Sequence, residues 1–316
     1  MRLASLIYLL ILFTVSSNFV HAQDFDKAAI VNQLADLMNT NYVFPEKGKA
    51  MHDLIKSNLA QGEYENITDE AVFAKHLDTD LHSMANDGHI RVTYDPERIE
   101  KIRGGVGMGG RKAPENYGFE TVAVKEDIGY LDLRMFYDLG SAKDVAKQAM
   151  DKLMESKAII FDLRKNGGGS PSMIRFICSY LFEESVHLNS FYWRPQDSRS
   201  ETWTNPKFTE VRKPDIPVYV LTSSRTYSAA EEFTYDLKQL KRATIIGETT
   251  GGGAHPVGPM VINDDFFVNV PQGRAINPIT KTNWEGVGVV PHIRVSADQA
   301  LIKAQELAKK ALLENN

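Results

Sequence analysis

Cysteine is almost absent: Cys178 is the single one in 316 residues. No intrachain disulfide can form, so stability has to come from a buried core. The eight histidines show no HExxH spacing, and one cysteine cannot make a CxxC pair, which argues against structural zinc. There is no long basic run either. With 36 Lys plus Arg against 41 Asp plus Glu and a formal net charge of -5, the chain lacks the concentrated positive surface that a nucleic-acid partner favours. Internal repeats and low-complexity tracts are missing as well. What is present is an ordinary globular make-up, 43% hydrophobic and 24% charged, in a chain long enough for one or two domains.

The first informative segment is Arg2 followed by the apolar run from Leu6 to Val15 and small residues ending at Val20, His21 and Ala22. This has the layout of a secretory signal peptide over residues 1–22, since the run is too short to span a membrane comfortably. Cleavage after Ala22 would leave a chain starting at Gln23 with a net charge of about -6, because the leader carries one Arg and no acid. The expected location is therefore periplasmic or secreted, with no stable membrane anchor once the leader is gone. Cys178, inside the apolar pattern MIRFICSYLF, reads as a small buried thiol rather than a nucleophile.

Two regions follow. From Asp26 to about Ala85 the apolar residues recur at helical spacing, as in Ile30, Leu34, Leu37 and Met38, and this predicts three helices in a subdomain over residues 23–88. From His89 to residue 316, β-rich runs (HIRVTY, ETVAV, IGYLDLRMF, AIIFDLR, VYVLTS, ATIIGE, FFVNV) alternate with helices near 141–156, 171–182, 229–241 and 297–313. That alternation predicts an α/β layer architecture. The Gly-rich stretch from Arg103 to Lys112 reads as a linker or loop.

Three places carry candidate chemistry. In VYVLTSSRTYSAAEEF a strand runs into a turn and Ser228 opens a helix, whose free amides and positive end could stabilise a developing oxyanion. The same residues, Ser228 and Glu231, also spell a capping box. In AIIFDLRKNGGGS, the glycines 167–169 allow close backbone approach, so their amides could face a reacting oxygen; a structural turn is the plainer reading. That loop lacks the GK[ST] ending of a phosphate cradle. Finally, Asn86-Asp87-Gly88-His89 and Asn283-Trp284-Glu285-Gly286 could provide the imidazole base and supporting carboxylate that a serine nucleophile needs.

Taken in order, His89, DLRKNGGG, TYSAAEEF, GETTGGGAHP and NWEGVGVVP resemble the C-terminal-processing, or tail-specific, serine peptidases. The likeness is strongest to the branch of tricorn core protease and the repeats of interphotoreceptor retinoid-binding protein, and NYGFETVAV with IGYLDLRMF resembles the same branch. It spans roughly residues 25–310. The resemblance implies a ClpP/crotonase-like β/α superhelical core with an N-terminal helical subdomain. It implies Ser228 as nucleophile, His89 as general base, Glu285 as supporting carboxylate, and an oxyanion hole from the amide of Ala229 with one from Gly167 or Gly168. Its substrate would be a peptide or protein, with no cofactor, metal or nucleic acid.

Two departures from the family pattern stand out. The segment GETTGGGAHP has no Lys, which removes a Ser/Lys dyad. Gly88 occupies the place of a Ser that in tricorn-like enzymes bridges His to Glu, so Glu285 must reach His89 itself or Asp87 must do its work; His255 is a rival base of lower rank. About 26 residues separate His89 from Asn116, too few for a PDZ module there. The competing function is an exported binding protein for an apolar, retinoid or fatty-acid-like ligand with an inactive site, and ester hydrolysis by the same triad is a third.

Overall fold

The computed structural model describes residues 25–104 and 113–314. The segment read as a leader, 1–22, lies outside the described residues, as does most of the Gly-rich stretch, from 105 to 112. No helix among the described residues is long and apolar enough to cross a membrane.

The helical region comes out as read. α1 (Lys27–Asn41) starts at Asp26, whose carboxylate accepts the Ala29 amide at 2.9 Å; α2 (Pro45–Ala60) has Pro at its first position; α3 (Glu70–Met84) starts at Asp69, which accepts the Val72 amide at 2.8 Å. Their apolar stripes close on one core with Ile90 and Val92 and with Phe266, Val268 and Val270 from far along the chain. Those residues belong to an antiparallel sheet, β1 (Arg91–Tyr94), β10 (Phe266–Pro271) and β9 (Val257–Val261), ordered β1-β10-β9. A short helix, α4 (Pro96–Arg103), follows β1 and was not legible in the sequence.

The remainder is built on a six-stranded sheet. Its members are β2 (Phe119–Lys125), β3 (Ile128–Leu133), β4 (Ala158–Asp162), β7 (Val218–Thr222), β8 (Thr244–Gly247) and β12 (Ile293–Arg294), ordered β12-β8-β7-β4-β3-β2. Only the β2–β3 pair is antiparallel. AIIFD and VYVLT are buried along their whole length, because a parallel sheet is covered on both faces. Ile159 and Phe161 of β4 pack on the side of α5 (Leu139–Leu153), α6 (Pro171–Cys178) and α7 (Ala229–Gln239). Ala158 and Ile160 face the other side, where α8 (Ala297–Glu314) lays Ala300, Ala304 and Ala308 on the sheet. Small residues there let the helix come close.

A third sheet, β5 (His187–Trp193), β6 (Ser198–Trp203) and β11 (Gly273–Ile276), was not anticipated, and neither was β9. Its strands mix Ser, Asn and Arg with aromatic residues, so no clean alternation marks them. The helix read as 171–182 stops at Cys178, where the Tyr180 and Leu181 amides bond three residues back and tighten the chain into turns. Cys178 is buried and unpaired, and burial pushes its thiol well up.

Candidate active site

In a parallel sheet the loops leaving the carboxyl ends of the strands converge, and here the loops after β4 and β7 do so. Ser228 sits where the chain turns from β7 into α7, with φ 54° and ψ -122°. A non-glycine residue rarely adopts this backbone, and a strained strand-to-helix turn is a recurrent setting for a nucleophile. The surroundings enforce it: the Tyr227 amide donates to the Asn166 carbonyl at 3.1 Å, and the Ser228 amide donates to Glu231 Oε2 at 2.9 Å.

Glu231 does more than the capping role read from the sequence. Its fully buried carboxylate also accepts the Gly252 amide at 2.6 Å, the Gly253 amide at 2.8 Å and the Thr250 hydroxyl. The start of α7 is thereby tied to the GETTGGG loop. Burial raises this carboxyl above its ordinary pKa, and the hydrogen bonds from Thr250, Gly253, Gly252 and Ser228 work against that.

The loop after β4 meets the Ser228 turn directly. Asn166 is buried, donates through Nδ2 to the Leu133 carbonyl at 2.9 Å and accepts the Gly168 amide at 2.8 Å. Gly168 has φ 113°, and a Cβ there would lie 2.8 Å from the Ser228 Cβ and 3.1 Å from the Ala229 nitrogen. Only glycine allows this approach. Because the Gly168 amide is taken by Asn166, the loop's other candidate donor is Gly167, where an added Cβ would meet nothing within 4 Å.

His89 and the acids form the second half of the site. Its side chain is 8% exposed, and neither ring nitrogen has a hydrogen-bond partner. Its ring lies 4.9 Å, centroid to centroid, from Tyr227, the neighbour of Ser228. Asp87 Oδ1 is 3.6 Å from His89 Nδ1, and the ligand atoms of Asp87, His89 and Glu285 all fall within 4.8 Å of one another. Imidazole nitrogen with two carboxylates is also a donor set that a divalent transition metal accepts. Glu285 Oε2 accepts the Ala254 amide at 2.6 Å and its Oε1 has no partner. The place of Gly88 is explained by Tyr227, because a Cβ at 88 would be 2.6 Å from the tyrosine Oη. The tyrosine hydroxyl stands where a serine side chain would begin, while the ring carbon behind it would be at 3.6 Å.

The sequence reading ranked His255 low, as a loop residue beside the cleft, yet it is 4% exposed and its Nδ1 lies 2.7 Å from Asp87 Oδ2 and 3.6 Å from Glu285 Oε2. Tyr42 of the helical region adds a hydroxyl bond to Asp87 at 3.2 Å. Burial pushes the Asp87 carboxyl up, but the hydrogen bond with the His255 ring and the one from the His89 backbone amide at 3.1 Å more than reverse this and hold it well below the ordinary carboxylate range. Glu285 goes the other way, raised by burial and by the charge of Asp87 against the pull of His255. Tyr42 stands in no motif; Tyr227 and His255 lie inside TYSAAEEF and GETTGGGAHP, but those motifs gave no sign that Tyr227 packs on His89 or that His255 bonds Asp87.

A cavity of about 420 Å³ opens beside Ser228 and Ala229, walled by Phe191, Trp193 and Trp284 and by the 253–257 segment. Two of its three aromatic rings, Phe191 and Trp193, come from β5, one of the strands the sequence did not reveal.

The family model for Peptidase family S41 matches residues 127–295, the span that holds the two glycine loops, Ser228 and Glu285. The chain belongs to peptidase family S41. A second match, to the N-terminal domain of Peptidase_S41 in eukaryotic IRBP, covers residues 25–107 and with them His89. The fold agrees with solved relatives. A lipoprotein from Streptococcus agalactiae superposes with TM-score 0.63 at 16% identity, over 97% of this chain and 100% of that one. A protein assigned as a peptidase from Parabacteroides merdae ATCC 43184 gives 0.59 at 21% identity, over 91% and 95%. The photosystem II D1 C-terminal processing protease gives 0.58 at 16% identity, over 86% and 94%. Separately, 89 residues are 36% identical to elongation factor P of Stenotrophomonas maltophilia (strain K279a), covering 27% of this chain and 47% of that protein, so the chain spans less than half of that relative's length. The S41 chain is thus a serine-type peptidase with the mixed α/β core and helical N-terminal region expected from its motifs.

Proposed function

We propose that this S41 chain is an exported peptidase that hydrolyses peptide bonds through an acyl-enzyme on Ser228. The observation that carries this reading is the strained Ser228 turn at the head of α7, with Gly168 pressed against it. The leader over residues 1–22 supports export to the periplasm or beyond the cell.

In the proposed reaction, His89 takes the proton of Ser228 as the hydroxyl oxygen attacks the peptide carbonyl, and then gives it to the leaving amine. Support for His89 as base comes from its two unpartnered ring nitrogens, which leave one for the nucleophile and one for a carboxylate. Asp87, at 3.6 Å and kept ionised through His255, steadies the imidazolium, with Glu285 as a second acid nearby. The amides of Ala229 and Gly167 receive the oxyanion at the positive end of α7. Water then releases the acyl group.

The test is intact-mass analysis after treatment with a fluorophosphonate. The wild type should gain one adduct, Ser228→Ala none, and His89→Ala should gain it far more slowly. An unlabelled wild type, under conditions that label a control hydrolase, would overturn the proposal in favour of the apolar-ligand reading.

A further inference from the structure

The cavity beside Ser228 has an acidic floor that the reaction just described does not use. Glu232, one turn into α7, lines it and is 3% exposed, yet its Oε1 has no hydrogen-bond partner. One helical turn further, Asp236 is fully buried; its Oδ1 accepts from Asn277 Nδ2 at 3.3 Å, while Oδ2 has no partner. The buried Asn189 amide lies against Glu232 and pulls its carboxyl down a little, but neither of its ends meets hydrogen-bond geometry. Burial raises both carboxyls, that of Asp236 further through the charge of Glu232. Two acids without a cation are an expensive thing to bury, and native proteins rarely leave such groups unsatisfied without a reason.

We propose that this cavity receives the side chain of the substrate residue that acylates Ser228, and that it takes a cationic one, lysine or arginine, with Glu232 as the counter-ion. The first part rests on the peptidase reading and on contact, because Ser228 and Ala229 form one wall and the acyl residue's side chain leaves from the carbon next to the attacked carbonyl. The second follows from the lining. Phe191, Trp193 and Trp284 offer ring faces suited to the stem and the cation, and Glu232, which lines the same space, has a carboxylate oxygen without a donor. An apolar side chain of equal length would strip remaining water from that carboxyl and return no hydrogen bond. At about 420 Å³ the space falls within the usual range of small-ligand pockets.

Benzamidine and its neutral isostere benzamide test this without requiring turnover. Trp193 and Trp284 line the cavity, so each probe is titrated into the full chain and followed by tryptophan fluorescence. Benzamidine should bind about tenfold or more tighter than benzamide, and the ratio should collapse towards one in Glu232→Gln that retains the wild-type circular dichroism. Equal affinities in the wild type, or a cation preference that survives in folded Glu232→Gln, overturn the proposal. Should that variant not fold, peptide amides differing only in lysine against norleucine at the acyl position decide it on the wild type, and norleucine turned over as well as lysine is the overturning result. Failure of fluorophosphonate labelling would strike the peptidase reading alone, since probe binding is read independently of chemistry.

Discussion

Asp87 is the residue on which the site's two histidines meet, one at each carboxylate oxygen, 3.6 Å to His89 Nδ1 and 2.7 Å to His255 Nδ1. Replacing it by Asn keeps the shape but removes the charge that steadies an imidazolium. Fluorophosphonate labelling of Asp87→Asn should slow by about a thousandfold, whereas Glu285→Gln should slow it only by about tenfold. Rates in the reverse order would move the supporting role to Glu285, where the motif resemblance had put it. Gly168 makes a second residue-scale prediction. A methyl group there would lie 2.8 Å from the Ser228 Cβ against backbone on two further sides, so Gly168→Ala should abolish labelling and lower Tm. An alanine variant that labels normally would mean the loop is looser than its contacts imply.

At the scale of the element, α7 carries the site's main tension. Its first two turns hold Ser228, Glu231, Glu232 and Asp236, and the three acids are buried. Glu231 is satisfied by four donors. Glu232 is not, and burial pushes its pKa to about 8. A carboxyl with a raised folded pKa holds its proton longer in the native state than in the unfolded chain, so stability falls as pH rises from the ordinary glutamate range to about 8. Thermal unfolding across that window should show Tm declining in the wild type and declining less in Glu232→Gln. An identical slope in both proteins would remove Glu232 from the account. The helix itself was legible because VYVLTS and the S-A-A-E start signal are local. Its burden was not, since adjacent Glu231 and Glu232 look alike in sequence and differ only in which loops pack over them.

At the scale of the molecule, the helical region and the later strands share one core, and this brings Asp87 and His89 to the Ser228 side. Phe266 of β10 is fully buried and meets the rings of Phe25, Phe73 and Tyr94. Phe266→Ala should cost about 3–5 kcal/mol in urea unfolding, and labelling of Ser228 should fail at temperatures where the wild type still reacts. A loss of stability with no loss of labelling at any temperature below unfolding would show that the helical region is dispensable for holding His89.

The sequence by itself determined the three N-terminal helices, the buried parallel strands AIIFD and VYVLT, and the motif order that marks the family. These signals are local, written in helical spacing, continuous apolar runs, caps and glycines. Tertiary structure alone decided which groups meet. His255 reaches Asp87 across a separation of 168 residues, Tyr227 occupies the space beside Gly88, and β5 supplies Phe191 and Trp193 to the wall of the cavity next to Ser228. Such contacts depend on how sheets and loops stack, and no periodicity along the chain encodes them. The same limit applies to protonation. Asp87, Glu231, Glu232 and Glu285 are equivalent carboxyls as letters, and only burial and hydrogen bonding separate the one held ionised from those driven towards neutrality.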